Sequence, residues 1–94
     1  MTNQFSTISI CVSGRVQGVW FRGSTQQKAN ELGITGWVKN TLEGNVELEA
    51  HGEKVQLEVF IAWLFKGPKY SQVEHVDVEW IGSNTQFYSF NIKH

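Results

Sequence analysis

The stretch Gly14-Arg15-Val16-Gln17-Gly18-Val19-Trp20-Phe21-Arg22-Gly23-Ser24-Thr25 lies between an alternating segment and a helical pattern, so it reads as a strand-to-helix connection. Both arginines of the chain and three of its nine glycines fall inside it. Glycine allows φ > 0 and lets backbone N–H groups converge on a ligand with no Cβ in the way. A helix starting just downstream adds unpaired N–H donors and the positive end of its dipole. Arginine supplies a planar charged fork that fits phosphate or carboxylate oxygens. Together these describe an anion cradle. A plain connection carrying two surface arginines is the alternative, because glycine-rich turns are common.

Upstream, Thr7-Ile8-Ser9-Ile10-Cys11-Val12-Ser13 alternates strictly, which predicts a strand with Ile8, Ile10 and Val12 on its apolar face. Downstream, Ser24-Thr25-Gln26-Gln27 has capping-box spacing, yet Phe21, Thr25, Ala29 and Leu32 form one stripe that starts the helix as early as Phe21 or Arg22. The earlier start puts Arg22 in the first helical turn, where a cation is unfavourable unless an anion is bound. Gly33 closes this helix.

Ile34 to Asn40 reads as a second strand, Glu43-Gly44-Asn45 as a turn, and Val46 to Ala50 as the returning strand of a hairpin. Leu57, Phe60, Ile61 and Leu64 mark a second helix, stopped by Gly67-Pro68; Val55 to Val59 also alternates, so a strand competes there. Val76, Val78 and Trp80 mark a fourth strand, and Tyr88, Phe90 and Ile92 a short fifth. The order is βαββαβ plus an added strand. Strands with one apolar face need both helices on that face. The expected fold is therefore α+β: a ferredoxin-like split-βαβ sandwich, with an antiparallel sheet and two helices on one side.

Ninety-four residues suit a single domain over 1–94 with one core. The lone Cys11 excludes an intrachain disulfide, and no segment reads as a leader or a membrane span, so a cytoplasmic chain is expected. A formal net charge of −1, with six lysines dispersed, argues against a general nucleic-acid binder. A small anion held by arginine needs no basic face.

Other chemistries fit poorly. Gly18 to Thr25 has the glycine spacing of a nucleotide P-loop, but Ser24 stands where the lysine belongs. A serine triad would need Ser24, a histidine and Asp77, the chain's one aspartate, which faces outward in a strand. His51, His75 and His94 lack ligand spacing, and His51 and His94 suit surface positions. Cys11 has no histidine near it in sequence and reads as an inert small residue. Glu47 and Glu49 share a wet face and read as solvated. Trp37 and Trp80 could stack bases on an open sheet, but core and sheet-edge packing is the better reading, since the first strand offers no aromatic there. Asn40, ending a strand, is by itself uninformative.

The run Gly14-Arg15-Val16-Gln17-Gly18-Val19-Trp20-Phe21-Arg22, followed by Gly36-Trp37-Val38-Lys39-Asn40-Thr41 and Gly44-Asn45-Val46, resembles the acylphosphatase family. The resemblance covers nearly the whole chain and includes Trp63-Leu64 and Gly67-Pro68. It implies metal-free hydrolysis of acyl phosphates to carboxylate and inorganic phosphate, with no cofactor and no covalent enzyme intermediate. Arg15, Val16, Gln17, Gly18, Val19, Trp20, Phe21 and Arg22 would form the phosphate-binding loop, open also to sulfate. Arg22 would be the catalytic arginine and Asn40 the residue that positions the attacking water. Trp20 and Gly23 fall at positions that vary in the family.

The implied chemistry agrees with the residues. A carboxylate leaves readily, so no strong general acid is needed. Phosphoryl transfer depends on positioning and on stabilising charge at the equatorial oxygens. The expected partners are a small acyl phosphate and inorganic phosphate, with no nucleic acid, no membrane and a monomeric chain. The competing class is a non-catalytic phosphate-binding module of the same fold, which would keep Arg22 but have no use for an amide at Asn40.

Overall fold

The computed structural model describes residues 4–81 and 87–94. The first strand, β1, runs Phe5–Arg15 and buries Ile8, Ile10 and Val12, as the alternation requires. Helix α1 spans Phe21–Glu31, so the apolar stripe and not the capping-box spacing sets its start. Its first hydrogen bond runs from Ser24 N–H to the Trp20 carbonyl at 3.0 Å. Its end is a Schellman turn, in which Ile34 N–H donates to Ala29 at 2.8 Å and Gly33 N–H to Asn30 at 3.3 Å.

The hairpin pairs β2, Thr35–Asn40, with β3, Val46–Glu53. Helix α2 covers Lys54–Lys66 and ends at Gly67. Leu57, Phe60 and Leu64 are buried while Val55 and Val59 are exposed, so the helical period prevails over the alternation at Val55 to Val59. Strand β4 is Gln72–Trp80 and β5 is Phe90–Lys93.

The sheet order is β4-β1-β3-β2-β5. The first four strands are antiparallel, giving the ferredoxin-like arrangement. The fifth corrects the expectation of an antiparallel sheet throughout: it runs parallel to β2 and makes the sheet mixed. Its placement follows from packing. Phe90 is buried edge-on against Phe60 with centroids 6.2 Å apart, Gln26 Nε2 donates to the Phe90 carbonyl at 2.9 Å, and Gly36 N–H donates to Ser89 at 2.9 Å. Tyr88, expected within the strand, lies before it and is fully in solvent.

Both helices lie on one face, α1 against β2 and β5, α2 against β3 and β4. Phe21, Ala29, Leu57, Phe60 and Leu64 meet Ile8, Ile10, Val12, Val38, Val46, Leu48 and Ala50 in one core. On the open face, Trp37 lies beneath Lys93 and Lys39, with their ammonium groups 4.4 and 5.5 Å from its ring. That is a surface cation–π stack, not the core or sheet-edge packing expected for it. Among the described residues no helix is long and apolar enough to cross a membrane.

Candidate active site

The loop leaves β1 through a bulge. The register with β4 shifts between Ser13 and Gly14, and Gly14 has φ 120°. A side chain at Gly14 would strike the Gln72 carbonyl, so only glycine lets the two strands approach here. Val16 N–H turns back to the Gly14 carbonyl at 3.1 Å, and the Val16 side chain enters the core. Gln17 points sideways, its Nε2 donating to the carbonyls of Thr41 at 2.9 Å and Asn45 at 2.8 Å. One amide thus fastens the loop to the β2–β3 turn.

Gly18 has φ 75° and open space around the position a Cβ would take, so its conformation, not crowding, demands glycine. Phe21 then anchors the start of α1 in the core, 6.2 Å from the Trp63 ring. Buried Val16 and Phe21 therefore hold both ends of a loop whose middle is free to face a ligand. Among the described residues, none of the N–H groups from Gln17 to Gly23 donates to a backbone carbonyl. Those of Phe21 to Gly23 are the unpaired donors of the helix N-terminus.

A cavity of about 300 Å³ opens above this turn, lined by Val16, Gly18, Trp20, Phe21, Arg22, Gly23, Asn40, Ile92 and His94. No acidic side chain lines it, and Arg22 has no ion-pair partner among the described residues. Arg22 Nη1 donates instead to His94 Nδ1 at 3.3 Å, a neutral acceptor when that nitrogen is unprotonated. The site is therefore electropositive: one guanidinium plus a helix dipole that disfavours it until an anion arrives.

Asn40 ends β2 opposite Val46. The following turn is fixed by Thr41 N–H to the Asn45 carbonyl at 2.9 Å and by Asn45 N–H to Thr41 Oγ1 at 3.1 Å. Asn40 Oδ1 is buried, and no donor reaches it among the described residues. Asn40 lines the cavity, and an amide whose oxygen has no protein donor keeps hydrogen-bonding capacity for a ligand or water there. The lining offers one imidazole and no thiolate or acidic side chain, a donor set too poor for a structural or catalytic metal.

Of the residues expected from sequence, Val16, Gly18, Trp20, Phe21, Arg22 and Asn40 meet around this cavity. Arg15, Gln17 and Val19 do not line it: Arg15 is exposed opposite Gln72, Gln17 serves the turn, and Val19 packs against the core. Ile92 and His94 were not anticipated. They arrive because β5 runs parallel to β2 with Val38 opposite Ile92 and Lys39 opposite Lys93, which brings His94 to the level of Asn40. No local pattern around His94 announces this. Cys11 lies apart on the open sheet face, where burial first, then the carboxylates of Glu47, Asp77 and Glu43, push its thiol up.

A sequence model of the acylphosphatase family matches residues 8–92. The chain belongs to the acylphosphatase family. An acylphosphatase of Marinobacter nauticus is 44% identical over 85 residues, covering 90% of this chain and 92% of its own. One of Methylococcus capsulatus is 41% identical over 85 residues, covering 90% and 92%. The solved acylphosphatase of Coxiella burnetii superposes with a TM-score of 0.92 at 42% identity, over 97% of this chain and 94% of that one. The family match includes the loop, the β2–β3 turn and Ile92, though not His94.

Proposed function

We propose that this acylphosphatase-family chain hydrolyses acyl phosphates to a carboxylate and inorganic phosphate, with the cavity at the start of α1 as its active site. The observation that carries the reading is that Arg22 and the Asn40 amide line one cavity at a helix N-terminus, although they come from separate elements. The loop from Arg15 to Arg22 binds the phosphoryl group through its N–H groups and the Arg22 guanidinium. Asn40 orients the water. That water attacks phosphorus, the P–O bond to the acyl group breaks, and the electron pair leaves with the carboxylate. Charge on the equatorial oxygens meets fixed donors throughout, and this preorganisation is what lowers the barrier.

The lining offers one imidazole and no acidic side chain, which supports hydrolysis without a protein-bound metal. One chain lines the cavity from its own residues, which supports a monomer. The test follows loss of benzoyl phosphate with and without EDTA. Hydrolysis that survives chelation is expected. Phosphate binding without hydrolysis would instead identify a non-catalytic phosphate-binding module.

A further inference from the structure

Trp20 is the one described non-glycine residue with positive φ, 60°, although its ring is bulky. Left-handed backbone is unfavourable for such a side chain, and a strained residue persists only where the surroundings hold it. Three residues later, Gly23 occupies the first turn of α1. Glycine weakens a helix, and Gly23 lacks the positive φ that would call for it. Space explains its presence. A Cβ at Gly23 would fall on Nε1 and Cε2 of the Trp20 indole and lie 2.9 Å from Cδ1. Outside the helix's own backbone, the three atoms nearest that Cβ all belong to this ring.

Two locally unfavourable choices, at positions 20 and 23, thus converge on one result: an indole seated against the first turn of α1. Trp20 lines the same cavity as Arg22 and Asn40 and remains 64% exposed. Core packing does not account for a side chain left so far in water. Violations of local preference that converge beside a reactive centre are the mark of a functional position.

We propose that Trp20, seated on Gly23, receives the acyl group of the substrate, so that the chain favours acyl phosphates with flat aromatic acyl groups over acetyl phosphate. The proposal rests on the hydrolytic reading above and adds its substrate class. The carbonyl carbon of an acyl phosphate is two bonds from phosphorus. With the phosphoryl group against the loop and Arg22, the acyl group extends toward the remaining lining, which includes Trp20 and Ile92. An aromatic ring there gains both apolar burial and ring–ring contact.

The experiment compares kcat/KM for benzoyl phosphate and acetyl phosphate in wild type, Trp20→Asn, Trp20→Phe, Gly23→Ala and the double variant Trp20→Asn/Gly23→Ala. Asn tolerates left-handed backbone, so the first variant removes the ring while sparing the loop. The benzoyl-to-acetyl ratio should fall roughly three- to tenfold in Trp20→Asn, the size of an aromatic contact, and stay near wild type in Trp20→Phe. Gly23→Ala should lower it too, by displacing the indole, and the double variant should fall no further than Trp20→Asn. A ratio unchanged in both Trp20→Asn and Gly23→Ala overturns the proposal, as do additive losses in the double variant. Failure of folded wild type to hydrolyse either acyl phosphate would remove the functional reading and this one together, an outcome distinct from an unchanged ratio.

Discussion

Replacing Asn40 with alanine should separate catalysis from stability. Asn40 Oδ1 has no protein donor among the described residues, so alanine breaks no side-chain hydrogen bond there that holds the fold. The backbone pairing with Val46 is retained, and neither residue favours a strand. A water bound by the amide returns to solvent in the variant, so the net change in stability should stay within about 0.5 kcal/mol of zero. For a domain of this size about 1 kcal/mol moves the thermal midpoint by roughly 4–8 °C, so Tm should hold to within about 4 °C. Turnover should fall on the order of a hundredfold or more, the usual loss for a positioned polar group that acts in the transition state. Phosphate affinity should stay near wild type. The assay is turnover at saturating benzoyl phosphate, paired with a thermal melt and a phosphate titration on the same preparation. A Tm lower by more than about 5 °C would show that the amide is a structural group with partners of its own. Retained turnover would remove the water-positioning role.

Arg22→Ala should weaken phosphate binding and turnover together, because in the proposed mechanism the guanidinium meets oxygens that are anionic in both ground and transition states; Arg22→Lys should rescue little, since the two-pronged geometry is lost. In wild type, phosphate at about a hundred times its dissociation constant should stabilise the fold by roughly 2.7 kcal/mol, and a rise in Tm of equal size in Arg22→Ala would point to a general salt effect. Gln17→Ala should cost about 1–2 kcal/mol in a denaturant titration, a moderate loss because the Thr41 and Asn45 carbonyls keep Gly44 and Thr41 N–H donors. Gln17→Glu should cost more, since it aims a carboxylate at the same two carbonyls; equal stability of the two variants would refute the fastening role. Cys11, its thiol pushed up by burial and by Glu47, Asp77 and Glu43, holds less thiolate than a free thiol below its pKa. Alkylation by iodoacetamide near pH 8 should therefore be slower than for a free cysteine, and a rate equal to that of the free thiol would contradict this.

The sequence by itself determined most of the elements and the core, leaving a strand in competition over Val55 to Val59 and placing Tyr88 inside the last strand. Strict alternation at Ile8, Ile10 and Val12 could bury one face only as a strand, and the stripe Phe21, Thr25, Ala29 only as a helix that begins ahead of the capping-box spacing, at Phe21 or Arg22. Both periods are local, so each is legible within a few residues. The cradle was legible for the same reason: Gly14, Gly18 and Arg22 lie inside one short connection whose backbone needs can be read directly. The pairing of Asn40 with that loop came from resemblance, because a strand-ending asparagine has no signature of its own. Tertiary structure alone decided which edge β5 would join. Phe90 is buried against Phe60 and tied to Gln26, and the parallel register with β2 that follows carries Ile92 and His94 into the cavity. It also decided that the Trp20 indole packs against Gly23, and that Gln17 serves the β2–β3 turn while Arg15 faces solvent. Periodicity reports which face of an element is apolar, whereas the neighbour that covers that face is chosen by packing among residues far apart in the chain.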